Sequence, residues 1–219
     1  MESRGLVEQT GAAREYRLGP AVLRLASLRE AAVPTREAAM PVLRALAEAT
    51  GETAHMSHLV AGRLQTLAFA YSARHGMKVM MEDADFLPFH ATASGMAVLA
   101  FLPGPAQQDA LSAPLPRLTA ATETAPEVLS ARLPAIRANG YSETASTFET
   151  DVHGIAVPLF DARAACVGAL AVATPVPRMT VDLRARILAD EYWSPSERQV
   201  RSSSFLPYSS DGDPKLRSL

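Results

Sequence analysis

The stretch "LPFHATASGMAVLAFLPG", residues 87–104, decides the fold. It changes character in mid-course. His90 to Ser94 is an entry of small residues, and Met96 to Leu102 is an apolar helical run stopped by Pro103-Gly104. The helix is expected to begin near Ala93. Working outward toward the N-terminus, "RLQTLAFAYS" (63–72) and "ETAHMSHLV" (52–60) flank Ala61-Gly62 and predict a hairpin. Between the hairpin and the helix, "GMKVMME" (76–82) predicts a third strand. Working toward the C-terminus, residues 104–125 are rich in Pro, Ala and Thr and hold at most one short helix. "PEVLSARLPAIRANGY" (126–141) predicts a helix ending at Asn139-Gly140. "VHGIAVPLFD" (152–161) and "ACVGALAVA" (165–173) read as two buried strands joined by a turn, and "VDLRARILADEYW" (181–193) as a last amphipathic helix.

The N-terminal part is simpler. "GLVEQTGAAREYRLG" (5–19) predicts a small hairpin, and Val22, Leu23, Leu25, Ala26 and Leu28 mark a helix over 21–32 ended by Pro34. Thr35 opens a second helix, lined by Met40, Leu43, Leu46 and Ala47 and stopped by Gly51, with Pro41 inside it. Residues 194–219, with many Ser, Pro and Asp, read as a disordered tail. Consecutive hairpins predict an α+β fold, a mainly antiparallel sheet with flanking helices.

Composition excludes several classes. Of 219 residues, 48% are hydrophobic and 20% charged, which rules out wholesale disorder, and a net charge of −2 rules out a chain-wide polycation. The single cysteine, Cys166, forbids an intrachain disulfide. No apolar run reaches the roughly 18 residues of a membrane span, and "MESRGLVEQTG" is no secretory signal. The expectation is a cytoplasmic protein with no membrane association.

Five segments in the same order resemble one family, the IclR family of bacterial transcriptional regulators. They are "GLVEQTGAAREYRLG" (5–19), "LAEATGET" (46–53), "PFHATASGMAVLA" (88–100), "RANGY" (137–141) and "AVPLFDARAACVGALAV" (156–172). The resemblance implies a remnant wing of a winged helix-turn-helix over 1–19, a linker helix over 20–33 and a GAF-like effector-binding domain over 34–193. Only four residues precede Gly5, so the chain as written is read as lacking most of the DNA-binding domain. Operator DNA is then a partner only where the missing helices are present, with Arg14 and Arg17 of the wing as candidate phosphate contacts. A homo-oligomer, dimer or tetramer, is expected from the apolar positions of helix 21–32. The chain departs from the family's motifs at Met96, where the family often has Lys, and at Ser146 and Thr147, where it has paired acidic residues.

The "HATASG" turn is the best candidate binding site. A helix start leaves backbone N–H groups unpaired and carries partial positive charge, so a carboxylate could sit on the amides of Ala93, Ser94 and Gly95 beside Thr92. The plain alternative is an ordinary cap by Thr92 or Ser94. The resemblance places the effector between that turn and one sheet face, lined by Gly76 and Val79 on the third strand, by Val152 and Gly154, and by Ala171 and Ala173. Period-2 spacing puts each of the last two pairs on a single face. Apolar core is the plain alternative for these.

No metal site and no cofactor are expected. His55 and His58 fall on opposite strand faces, His90 is read as bonding backbone, and His75 and His153 have no ligand partner at metal spacing. Ser94 is not in a G-x-S-x-G elbow, and no dinucleotide or phosphate loop occurs. The chain is therefore read as a regulator that senses a small organic acid, aromatic or medium-chain, and not as an enzyme. The rivals are an enzyme on a GAF-like scaffold, using Thr92, Ser94 and His90, and a dimerisation module without a ligand.

Overall fold

Along 152–173 large apolar side chains alternate with small ones, and the architecture follows from that alternation. The computed structural model describes residues 5–10, 15–32, 35–82 and 85–189. The chain divides into two units, within residues 1–37 and 38–219.

In the first unit, β1 (Val7–Thr10) and β2 (Glu15–Leu18) pair antiparallel from Val7↔Leu18 to Thr10↔Glu15. The expected hairpin is there. The Gly19 and Ala21 amides donate to the Leu6 and Gly5 carbonyls at 2.9 and 3.0 Å, tying the hairpin to the start of α1 (Ala21–Ala32). Arg14 lies outside the described residues. Arg17 is paired with Glu8 across the hairpin, Nε to Oε1 at 2.6 Å.

In the second unit, five strands form one antiparallel sheet in the order β4-β3-β7-β6-β5. They are β3 (Thr53–Val60), β4 (Arg63–Ala70), β5 (Ser142–Ala145), β6 (Val152–Phe160) and β7 (Cys166–Pro175). The fold is α+β, as the hairpin order predicts. Ala61 and Gly62, both at positive φ (48° and 75°), close the β3–β4 hairpin in the two-residue turn that matches strand twist.

The sheet has a large-residue face and a small-residue face. Ala54, Met56, Ile155, Val157, Leu159, Leu170 and Val172 pack on α2 (Thr35–Thr50) and α6 (Val181–Ala189), through Leu43, Leu46, Leu183 and Ile187. Each of the larger of these buried side chains contributes roughly 1.5–3 kcal/mol. Pro41 sits inside α2, and Gly51 at φ 82° ends the helix as its sequence position predicts.

The opposite face presents Ala156, Ala169, Ala171 and Ala173, and against it lies α3 (Ala93–Phe101). Ala93 and Ala97 meet Ala156 and Ala171 there. Every residue from Ala93 to Ala100 is buried, because α4 (Gly104–Ser112), through Ala110 and Leu111, and α5 (Pro126–Asn139), through Leu129 and Leu133, cover the outer side of α3 at Met96 and Leu99. Gly140 at φ 75° stops α5 at the expected place.

Two expectations need correction. Residues 76–82 are not a strand. The Tyr71 hydroxyl takes the Met81 amide at 3.0 Å and Thr53 Oγ1 donates to the Val79 carbonyl at 2.8 Å, so side chains hold this segment where a ladder would have. Its alternation is real, with Val79 buried and Met80 exposed, but it produces a strap and not a sheet edge. The chain reaches β4 only further on, through the Gln65↔Phe86 bridge. Conversely β5, "SETA", is a true edge strand that is too short and polar to announce itself in sequence. Beyond Ala189, the last part of the expected helix over 181–193 and the tail over 194–219 lie outside the described residues.

A buried ion pair closes the sheet's end. Arg178, in a 3-10 turn after β7, grips Glu52 with two bonds of 2.7 and 2.6 Å, and the Glu52 side chain is 2% exposed. The bidentate geometry supplies the hydrogen bonds that a desolvated carboxylate requires.

Candidate functional site

Between the start of α3 and the small-residue face lies a cavity of about 60 Å³. Its walls come from β3, β5, β6 and β7, from the strap, and from the loop joining β5 to β6. Eight of the ten sequence-predicted site residues line it: Val79, Thr92, Ala93, Ser94, Val152, Gly154, Ala171 and Ala173. Gly76 does not. It is exposed, with nothing within 4 Å of where a Cβ would stand, because the strap carries it away from the sheet. Gly95 does not line the cavity either. Its amide donates to Thr92 Oγ1 at 2.9 Å, so it is not free for a ligand. A Cβ on Gly95 would overlap the Pro88 carbonyl, which explains the glycine by close backbone approach.

The cap determines what is left. Thr92, at φ −111° and ψ 151°, is the N-cap, and its hydroxyl also donates to the Pro88 carbonyl at 2.9 Å. The cap satisfies the third helical amide. The amides of Ala93 and Ser94 donate to no partner among the described residues. Both residues line the cavity, so the positive end of a nine-residue helix with two unpaired N–H groups adjoins it.

Sequence reasoning missed His55. Its ring lines the cavity from β3, 7% exposed, with Nε2 3.2 Å from Ser94 Oγ. Its Nδ1 is buried and makes no hydrogen bond among the described residues. Burial pushes the imidazole down to about 4, so the ring is neutral at pH 7. The signal available in sequence was the period of β3, since Thr53, His55 and Ser57 share the face that the alanines of β7 occupy. The loop wall, with Thr147 and Phe148, was also missed. It is tied down by threonines of the Thr-rich middle: Thr119 and Thr122 hydroxyls donate to the Ser146 and Thr147 carbonyls at 2.6 and 2.7 Å, and Thr147 Oγ1 donates to the Ala91 carbonyl at 2.6 Å. The Thr147 hydroxyl thus has a structural role in this chain, whereas Ser146 contributes its backbone carbonyl.

The other candidates fall outside the site. His90 Nε2 meets the Pro116 carbonyl at 2.9 Å, the backbone bond expected of it. His153 has an acidic partner across the sheet after all, Glu143 at 2.8 Å, which Arg184 also grips. Among the described residues no cluster of metal-binding side chains forms. The serine that could act as a nucleophile pairs with His55 and not His90, yet a Ser–His pair needs a third group on the far ring nitrogen, and Nδ1 has none among the described residues. Burial pushes the Cys166 thiol up to about 12, so it is no thiolate at neutral pH.

Residues 30–190 match the family model described as "Bacterial transcriptional regulator IclR C-terminal". The chain belongs to the IclR family. A solved IclR transcriptional regulator from Silicibacter sp. TM1040 is 49% identical, with a TM-score of 0.80 over 85% of this chain and 73% of that one. An IclR homolog from Microbacterium hydrocarbonoxydans, solved with 4-hydroxybenzoate, shares the fold at 24% identity and TM-score 0.71, covering 93% of this chain and 81% of that one. The Pca regulon regulatory protein of Pseudomonas putida is 29% identical over 78% of this chain and 59% of its own length, so the chain spans about three fifths of that relative. The IclR relatives are named as regulators and not as enzymes. Among the described residues no helix is long and apolar enough to cross a membrane.

His55 makes stability depend on pH. Its folded-state value, about 4, lies below the ordinary 6.5, so the unfolded chain binds the extra proton. Its contribution is complete above about pH 6.5 and is lost as pH falls toward 4, on the order of 3 kcal/mol in all. Urea denaturation should show wild type losing more stability between pH 7 and 4.5 than His55→Gln. Equal losses would contradict a buried neutral imidazole.

Proposed function

We propose that this chain is the sensing part of an IclR-type transcriptional regulator and that its effector is a small organic acid with an apolar, aromatic or medium-chain body. The observation that carries this is the cavity's polarity. Ala93 and Ser94, whose α3 amides are unpaired, and His55, with one unpaired ring nitrogen, line a cavity that is otherwise largely apolar. The amides of Ala93 and Ser94 hold the carboxylate, and Val79, Val152, Ala171 and Ala173 enclose the body. The 4-hydroxybenzoate bound by the Microbacterium relative supports an aromatic acid. Residues 1–19 and 20–33 then serve as wing and linker helix, with the sensing domain over 34–193, and Arg14 and Arg17 meet operator DNA in the whole regulator. Effector binding shifts the grip on DNA by a coupling of typically about 1–3 kcal/mol.

Calorimetry with benzoate, 4-hydroxybenzoate, octanoate, glyoxylate and pyruvate tests the assignment. The larger acids should bind more tightly than the keto-acids. Ser94→Pro, tolerated in a first turn, removes one amide and should weaken every carboxylate about 10-fold or more. Ala171→Phe fills the cavity and should exclude the aromatic acids first. Glyoxylate or pyruvate as the best ligand, or no effect of Ala171→Phe, would refute the site.

Leu23, Leu25 and Leu28 of α1 stand more than half exposed. We read them as covered by a second copy of the chain, because an apolar helix surface gains by burial. Light scattering at micromolar concentration should return at least a dimer mass, and a monomer would sink this assignment.

A further inference from the structure

An organic acid in this cavity meets an electrostatic problem that the wall itself defines, and its solution rests on the acid-sensing assignment. A carboxylate entering the cavity leaves water with a full negative charge. Among the described residues no lysine or arginine lines the cavity, and its one charged wall residue, Glu149, is exposed and has the wrong sign. The groups around His55 supply no charge either. From β4 and β7 its cross-strand neighbours are Phe69 and Ala171, and from α3 it meets Ser94. Lys78 and Glu82, next to Val79 and Met81 on the strap, are not on the wall, and the Lys78 ammonium bonds the Ser72 carbonyl at 3.4 Å. Two helix amides carry only partial charge. A buried carboxylate with no counter-charge is strongly disfavoured, whereas a hydrogen-bonded pair carrying one proton is neutral in sum.

The group able to hold that proton is already in place. Ser94 engages one ring nitrogen of His55 and fixes the ring, while Nδ1 is left buried and unpaired on a ring that lines the same cavity as Ala93 and Ser94. We propose that the cavity binds its acid together with one proton taken from water, shared between the ligand carboxylate and His55 Nδ1. The effector class is therefore a monocarboxylic acid with an uncharged body, and a second carboxylate would bring a charge that nothing on the wall neutralises.

The proton balance is simple. Above about pH 5 the His55 ring of the empty site is neutral, because burial holds it near 4, and a free carboxylic acid is ionised. The complex holds one proton more than its separated parts. Linkage then makes the dissociation constant rise about tenfold per pH unit.

The test is calorimetry of the full chain with benzoate at pH 5.5, 6.25 and 7.0, each in two buffers of different ionisation enthalpy. The expected result is about one proton taken up per benzoate and about a 30-fold loss of affinity from pH 5.5 to 7.0. Benzamide, with the same ring and no titrating group, should show neither. His55→Gln, which keeps a hydrogen-bonding side chain, should abolish both the uptake and the slope for benzoate. Benzoate binding with no proton uptake overturns the proposal while leaving the acid site standing, and so does uptake that persists in His55→Gln. Failure of benzoate and the other acids to bind at any pH overturns the site and the proposal together. Should His55→Gln not fold, the wild-type proton count and the benzamide contrast still decide.

Discussion

The close approach of α3 to the sheet is the constraint on which the rest depends. Ala93 and Ala97 meet Ala156 and Ala171 without a large side chain between them. Gly154 lies under the helix start, where its Cβ would stand 3.1 Å from that of Ala93. Gly95 lets the backbone at 88–89 close over the first turn. Small residues on both surfaces bring a helix N-terminus down onto a sheet face, and the apolar outer side of α3 is then buried under α4 and α5. Helix burial and site construction are the same event.

That geometry explains why the chemistry of the site is sparse. A helix start pressed against alanines cannot present long basic side chains. What it presents is backbone, and one amide of the first turn is already taken by Thr92. Further polarity comes from His55, an imidazole on the small-residue face of β3. The ligand class we propose for it has one compact anionic end and an apolar remainder. The wall that closes it, around Thr147 and Phe148, is held by hydroxyls of Thr119 and Thr122 from a segment that has no regular structure of its own.

Much of this is legible in sequence because its signals are local. Gly51 and Gly140 stop helices through positive φ, Ala61-Gly62 makes a hairpin, and Pro103 ends α3. Val152/Gly154 and Ala171/Ala173 share a face because strands repeat every two residues. The features that escape sequence reasoning are non-local. The alternation in "GMKVMME" resembles a strand, but Tyr71 and Thr53 side chains hold it as a strap, and Gly76 goes with it. Spacing shows only that His55 and His58 fall on opposite strand faces and share no metal. Its role depends on Ser94, 39 residues away, and spacing alone cannot show that contact. Gly95 belongs to the expected turn for a different reason, since the constraint on it comes from packing against the backbone at 88–89.

The free amides of Ala93 and Ser94 are the proposed seat of the carboxylate, and everything said of the effector depends on them. The most direct measurement is the backbone ¹H–¹⁵N spectrum of the labelled chain during titration with benzoate. Downfield amide-proton shifts should concentrate at Ala93 and Ser94, with Gly95 moving little because its N–H already bonds Thr92. A benzoate titration that leaves Ala93 and Ser94 unmoved while other resonances shift would contradict that seat.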